Sequence, residues 1–426
     1  MLKLKVKNVG PIDNAEMDIG EITAVIGPNG SGKTFLSLIM LSISDMFAAS
    51  PFVLPDLEMD EKLLNTINAN LGTKTYTLKI SDAVPMAERK YGQAFIAALQ
   101  KNFGVPYPFL IKNGLASKTS IISIESETVE IMFGIRGQEI EYHLNIRNDF
   151  DVRVEQTETP PGTGSSCSSK DHTLFLRVAS DMNAQQRVNL ISYQILAMMT
   201  PEYFRYRNTE FLPTERGLII SIFNVLTSWY VNSYLSQSLA QQLGISKQEM
   251  ARLQTDRASV GRFINDFLQN AAVQSRVQAK EYLLPFRNKH ISFRILQPLR
   301  IEVADSQQPV PLGLLSSGYS QVIPLVFFQN SPNLIIEEPE INLHAGQQIE
   351  VANFLFSLKG NIFLTTHSDR FLVQIGINHK RSKRDVRIYL LDKGFTKEKH
   401  ILENGDIENF ETITEALNEQ AKELSS

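Results

Sequence analysis

The sequence predicts an α/β fold: a wound, mixed sheet interrupted by a large insertion of strands and helices. Three observations predict it. A glycine-rich stretch, Gly27 to Thr34, sits between an apolar strand pattern and an apolar helix pattern. A second apolar run, Leu334-Ile335-Ile336, ends abruptly in carboxylates. From there strand and helix patterns alternate as far as Leu391, which implies parallel strands joined by crossover helices.

The glycine-rich stretch carries the most chemistry. Ile22 to Ile26 reads as a short buried strand, and Phe35 to Leu41 as a helix facing a core. Between them Gly27-Pro28-Asn29-Gly30-Ser31-Gly32-Lys33-Thr34 fits G-x-x-x-x-G-K-[ST] in the strand-loop-helix context that makes it a phosphate-binding loop. Glycines let backbone N–H groups from Asn29, Gly30, Ser31 and Gly32 curl around phosphate oxygens, and the helix start adds its own unpaired donors. Lys33 is expected to reach the β- and γ-phosphates of ATP, and the Thr34 hydroxyl to ligate Mg²⁺. A glycine-rich turn with a stray lysine is the alternative, and the flanking patterns disfavour it.

Bulk properties set limits. At 43% hydrophobic and 21% charged residues, the chain has the balance of a globular protein. Its 426 residues allow two or three domains. A net charge of −4 gives no global attraction for nucleic acid, which leaves only a local basic patch. The single cysteine, Cys167, excludes an intramolecular disulfide and any zinc site built on several cysteines. Met1 to Lys7 alternates like a strand and lacks a signal-peptide core, so residence in the cytoplasm is expected. Gly217 to Ser246 carries no formal charge, yet its Asn, Thr, Ser and Gln content argues for a buried or interface helix over a membrane span.

Taken in order, residues 2–8, 15–19 and 21–26 read as strands, and the helix after the loop runs to about Met46. Residues 75–80 alternate as a strand, and 85–103 look helical. Strands follow at 120–123, 129–135 and 139–146. A polar segment, about 156–172, has the composition of a flexible loop, and reads as the tip of a hairpin returning at Thr173 to Val178. Residues 183–200 and 218–275 are mostly helical, and short strands close the region at 290–295 and 299–304. The last part returns to α/β. Strands at 333–338, 362–366 and 386–391 alternate with helices at 344–358 and from Phe371, before a polar helical tail, 408–424. On this reading residues 1–50 and 305–426 form the nucleotide-binding core, and 51–304 the insertion.

Four more motifs fall in that core. Leu315-Ser316-Ser317-Gly318 opens a helix; alone, it is an ordinary serine cap. Glu337 and Glu338 end the strand 333–338, at the sheet edge where ligands of open α/β sheets bind. In a P-loop enzyme the first carboxylate, Glu337, holds Mg²⁺, and the second, Glu338, polarises the attacking water. Ile341-Asn342-Leu343-His344 follows at once. Thr365-Thr366-His367 ends the next strand, which makes His367 a candidate γ-phosphate contact.

The order of these motifs resembles the ABC-type ATPase heads, in particular their SMC/RecF/OLD-like branch. Val6-Lys7-Asn8-Val9-Gly10-Pro11 is similar to that branch's N-terminus. Phe211-Leu212-Pro213-Thr214-Glu215-Arg216 is similar to a segment of the stand-alone "AAA" proteins grouped with OLD-like ATPases. The resemblance covers about residues 1–47, 205–220 and 311–395. It implies two heads joined head-to-tail around two ATP molecules. Residues 27–34, Glu337, Glu338 and His367 of one head would then face Ser316, Ser317 and Gly318 of the other. Three positions depart from the pattern: Tyr319 replaces the transporters' glutamine, Glu337 the usual aspartate, and Ala345 a frequent proline. Neither Glu337 nor Ala345 removes a functional group, whereas Tyr319 alters the contact beside Gly318. Arg216 is open between a phosphate or interface arginine and an ordinary ion pair.

The insertion excludes some members of the class. It lacks sustained heptads, so no long coiled coil is expected, and it lacks C-x-x-C, so no zinc hook. About sixty residues follow His367, too few for a TOPRIM nuclease domain. The expected function is therefore an ATP-gated dimeric switch, in DNA-linked processes or anti-phage defence, acting on a separate effector such as a nuclease. A RecF-like repair ATPase and a transporter's nucleotide-binding subunit are the alternatives. His379-Lys380-Arg381-Ser382-Lys383-Arg384 is the best local candidate for DNA, against a plain solvated loop.

Overall fold

The computed structural model describes residues 2–48, 61–70, 73–111, 119–136, 139–148, 151–157, 168–170, 173–179, 182, 184–204, 209–221, 223, 261–264, 266–268, 270–271, 280–286, 290–296, 300–382 and 384–408. Most of the uncharged run after Gly217 and nearly all of the polar tail lie outside them, as does most of the 156–172 loop. By its internal contacts the chain divides into two units. The first comprises Met1–Asp18, Ser42–Gln100 and Pro106–Asn208; the second comprises Ile19–Leu41, Lys101–Val105 and Thr209–Ser426.

In the first unit β1 (Leu2–Val9) pairs antiparallel with β5 (Ser120–Glu125). The latter continues into β6 (Val129–Arg136) and β7 (Glu139–Ile146), with β2 (Ile12–Ile19) beside β1. Buried residues alternate along β1 and β6, as a sheet covered on one face requires. Phe95 of α3 (Val84–Phe103) stacks on Phe133 of β6 at a 4.0 Å ring separation, placing that helix against the sheet. The unit also holds helices α2 (Glu61–Ala69) and α4 (Ala184–Met199).

A second sheet in this unit corrects the sequence reading. β8 (Asp151–Thr157) and β10 (Thr173–Ala179) are neighbours, but they run parallel, with Thr173 opposite Asp151. A tight hairpin would make them antiparallel. The antiparallel partner of β10 is instead the short β9 (Ser168–Lys170), while β4 (Thr75–Lys79) flanks β8.

The second unit carries the predicted wound sheet. Its strand order is β11 (Thr209–Leu212), β16 (Asn333–Glu337), β17 (Asn361–Thr366), β3 (Ile22–Ile26), β18 (Val386–Asp392) and β19 (Phe395–Lys399). The first five run parallel and only β19 is antiparallel. All five residues of β3 and of β16 are buried, the mark of parallel strands covered on both faces. The crossover helices are α6 (Ser317–Phe327), α7 (Ala345–Ser357) and α8 (Asp369–Arg381). Their Val322, Ile323, Val351, Leu355, Phe371 and Leu372 join one core with Ile336 and Leu364.

Residues 209–304 build part of this same unit. A small antiparallel sheet, β12 (Glu281–Leu283), β13 (Ile291–Leu296), β14 (Arg300–Asp305) and β15 (Gln308–Val310), packs its Tyr282, Phe293, Ile301 and Val303 into the core. Phe223, Phe267, Phe327 and Phe328 extend that core as an aromatic cluster. No helix among the described residues is long and apolar enough to cross a membrane.

Candidate nucleotide-binding site

Parallel register brings the candidate residues to one edge. Ile26 of β3 lies opposite Thr366 of β17, and Thr365 lies opposite Glu337 of β16. The glycine-rich loop, His367 and Glu338 therefore leave neighbouring strands at the same level, at the carboxyl ends where α/β sheets bind ligands. Leu212 of β11 is level with Ile336, so Pro213 to Arg216 turns off the sheet at the same edge and enters α5 (Arg216–Ser221).

The loop leads from β3 into α1 (Lys33–Ala48). Gly30 and Gly32 take φ values of 76° and 111°, where a side chain is strained. Gly27 is required by space: a Cβ there would sit 2.1 Å from the Leu391 carbonyl oxygen. Lys33 is buried, and its Nζ donates to the carbonyls of Gly27, at 2.7 Å, and Pro28, at 3.0 Å. Burial lowers its pKa, while Glu338, Glu340 and Glu337 oppose that by attraction. Asn29 and Gly30 are exposed, whereas Ser31 is buried with no partner for its hydroxyl among the described residues.

Across from the loop, Glu337 is buried and its carboxyl is pushed up to about 7, mainly by loss of water. The Thr34 hydroxyl hydrogen-bonds to it and acts the other way. Its Oε1 has no partner among the described residues. One free buried carboxylate oxygen beside a threonine hydroxyl fits Mg²⁺, which takes few protein ligands and completes its shell with phosphate oxygens and water. No group of three or more His, Cys, Asp or Glu side chains among the described residues could hold a metal by itself. The donor set thus suits an ion that arrives with a phosphate.

Glu338 follows in the left-handed region, at φ 45°. A non-glycine residue there stores strain, which collects at functional sites. Its N–H donates to Thr365 O at 2.9 Å, and its Oε1 lies 3.1 Å from His367 Nε2, within reach of the ring N–H. Both side chains are partly exposed. Ser316 caps α6, accepting from the Tyr319 N–H at 3.5 Å, and Ser316 and Ser317 face solvent. Gly318 is buried against the N-L-H turn, where a Cβ would meet Asn342 O at 2.8 Å. His344 starts α7, and its N–H donates to Gln347 Oε1 at 3.2 Å.

Two residues have parts that the sequence does not disclose. Glu340 is buried and accepts from Thr366 Oγ1 at 2.6 Å and from the His367 N–H at 2.7 Å, so it anchors the backbone that carries His367. Burial raises its pKa against those hydrogen bonds. Arg216 is fully buried, and its guanidinium donates to main-chain carbonyls. Of the basic run, Arg384 turns inward. It donates to the carbonyls of Phe356 and Leu358 and, at 2.6 Å, Gly360, and lies over the Phe356 ring. Lys380 and Arg381 are exposed, and Lys383 lies outside the described residues.

Residues 205–373 match the family described as "AAA domain, putative AbiEii toxin, Type IV TA system". No curated protein sequence matches the chain. Three solved SMC heads align along most of their length. One, bound to the C-winged helix domain of ScpA, is 13% identical over 93% of this chain and 96% of its own, with a TM-score of 0.40. A second, with an extended coiled coil and bound to the C-terminal domain of ScpA derived from Pyrococcus furiosus, is 12% identical over 99% and 100%, at 0.37. The third, from Thermotoga maritima, is 11% identical over 93% and 97%, at 0.34. The family match spans the strand-end carboxylates and His367, and the glycine-rich loop lies level with them on the same parallel sheet. Residues 205–373, about two fifths of the chain, are thus similar to that AAA-domain family.

Proposed function

We propose that the protein binds ATP with Mg²⁺ at the Gly27–Thr34 loop and hydrolyses it, using that cycle as a dimeric switch. The observation that carries this reading is the convergence at one sheet edge of Lys33, the Thr34–Glu337 pair and the Glu338–His367 pair. Loop N–H groups and Lys33 hold the phosphates. Thr34 and Glu337 hold Mg²⁺, which when bound neutralises charge developing on the phosphate oxygens. Glu338 orients water toward the γ-phosphorus, and His367 steadies Glu338 and meets the γ-phosphate oxygens.

Ser316 and Ser317 face solvent at the start of α6, where unpaired helix N–H groups can meet phosphate, which supports a second head presenting its nucleotide to them and to Gly318. Closure of two heads around two ATP molecules would then be the signal. The reader of that signal, on this reading, is a separate effector protein such as a nuclease, in anti-phage defence or another DNA-linked process, in the cytoplasm. The test is steady-state hydrolysis with radiolabelled ATP. Wild type should release phosphate only with Mg²⁺, and Lys33→Ala should bind no nucleotide. Equal turnover by both would end the proposal.

A further inference from the structure

Arg216 joins three segments of the second unit. Its Nε donates to Gln321 O at 3.2 Å, Nη1 to Pro213 O at 2.9 Å and to Glu337 O, and Nη2 to Glu338 O at 3.0 Å. Gln321 lies on α6, the helix that Ser316 caps. One side chain therefore bonds the Ser316 helix and the peptides of both strand-end carboxylates. Two more bonds brace the junction: Gln321 Nε2 donates to Thr214 O at 3.1 Å, and Ser221 Oγ to Ser320 Oγ at 3.2 Å.

A core filler would not need this chemistry. A buried guanidinium is costly, and an apolar side chain of similar volume would occupy the space without that cost. What an arginine adds is a rigid planar fork whose donors fix several acceptors at once. Here the acceptors include the carbonyl of Glu338, whose φ of 45° needs outside support. The Glu338 peptide is thus held from both ends, by Thr365 O on its N–H and by Arg216 on its carbonyl.

We propose that Arg216 is a positioning residue that couples α6 to Glu338, so that engagement of the Ser316 end of the helix aligns the carboxylate that orients water. The coupling rests on the ATPase reading above. When phosphate oxygens meet the helix start, the shift of α6 is carried through the Gln321 carbonyl and the guanidinium to the Glu338 peptide. A head with an unengaged α6 leaves Glu338 out of line and hydrolyses slowly.

The test is a kinetic cycle on the full chain: wild type, Arg216→Lys, Ser316→Ala and the double variant. A lysine ammonium cannot span the four carbonyls, so Arg216→Lys should lower kcat by about 10²-fold, the order that a small misplacement of a reacting group costs. KM should change by less than about threefold, because nucleotide binding is untouched. The double variant should be no slower than Arg216→Lys alone, since the link that Ser316 acts through is already cut. Losses that multiply in the double variant, or a rise in KM matching the fall in kcat, would overturn the coupling. If Arg216→Lys does not fold, Gln321→Leu runs the same cycle: it keeps the carbonyl but frees α6 from Thr214, so the helix shift reaches Arg216 less fully; kcat should fall by about tenfold, and the double variant with Ser316→Ala by less than the product of the single losses. Absence of hydrolysis by wild type would instead refute the ATPase reading, which separates the two failures.

Discussion

His367 Nε2 and Glu338 Oε1 lie 3.1 Å apart at the ends of two adjacent parallel strands. The contact constrains a carboxylate whose backbone is already held in a left-handed conformation. Removing the imidazole should free the Glu338 side chain while leaving the loop intact. His367→Ala is expected to lower kcat by about 10²–10³-fold, the range seen for groups that stabilise or orient the reacting centre. Equilibrium titration with a fluorescent ATP analogue should show near wild-type affinity. Loss of binding in step with loss of turnover would place His367 in the fold rather than in the reaction.

Glu337 links the site to pH. Burial holds its carboxyl up at about 7, against 4.5 when unperturbed. Between those values the unfolded chain has released its proton and the folded chain has kept it. Stability of the nucleotide-free protein therefore falls as pH rises from about 4.5 to about 7 and levels off above, by at most about 3 kcal/mol. Glu337→Gln removes the ionisation. It should be more stable than wild type at pH 8 by urea denaturation, equal to it near pH 5, and inactive with Mg²⁺. A variant less stable than wild type at pH 8 would contradict the burial argument.

Gly318 is needed for space rather than for backbone freedom. A methyl group there would press on the Asn342 carbonyl, which belongs to a residue at φ 60° and cannot retreat easily. Gly318→Ala should cost about 1–3 kcal/mol by chemical denaturation, as overpacking against backbone does. Unchanged stability would show that the turn yields.

Arg384 and its neighbours should separate cleanly. Three backbone carbonyls lose their donor in Arg384→Ala, for an expected loss of about 2 kcal/mol. Lys380→Ala with Arg381→Ala removes two exposed charges and should stay within about 0.5 kcal/mol of wild type. If the double substitution were the costlier one, the inward role of Arg384 would be misassigned.

Much of the core was legible because the information is local. β3, β16, β17 and β18 are short apolar runs bounded by turns or helices, and their observed limits fall within one or two residues of the pattern. The loop and the carboxylate pair are each contiguous in sequence, so their residue types mark them as candidates before any folding. Strand direction is not local. Alternation in Thr173 to Val178 shows a strand, but not that its neighbour Asp151–Thr157 runs parallel to it. Three-residue strands such as β9, β12 and β15 are too short for a period to register. Arg216 was opaque for a further reason. Three of its acceptors are backbone carbonyls 105 to 122 residues away, and a carbonyl leaves no mark on residue identity. Glu340 stood in view as the last acid of Glu337-Glu338-Pro339-Glu340, yet only the fold shows that it turns back to the Thr366-His367 backbone.

On the proposed function, the Glu338 edge of one head and the Ser316 helix of another complete a site around ATP. Light scattering of Glu338→Gln, with and without ATP and Mg²⁺, tests it most directly. That substitution keeps the shape of the side chain but removes the group that polarises water. The expected result is a monomer without nucleotide, a dimer that accumulates with ATP and Mg²⁺, and no phosphate release. A variant that stays monomeric with ATP bound, and turns over as fast as wild type, would contradict it.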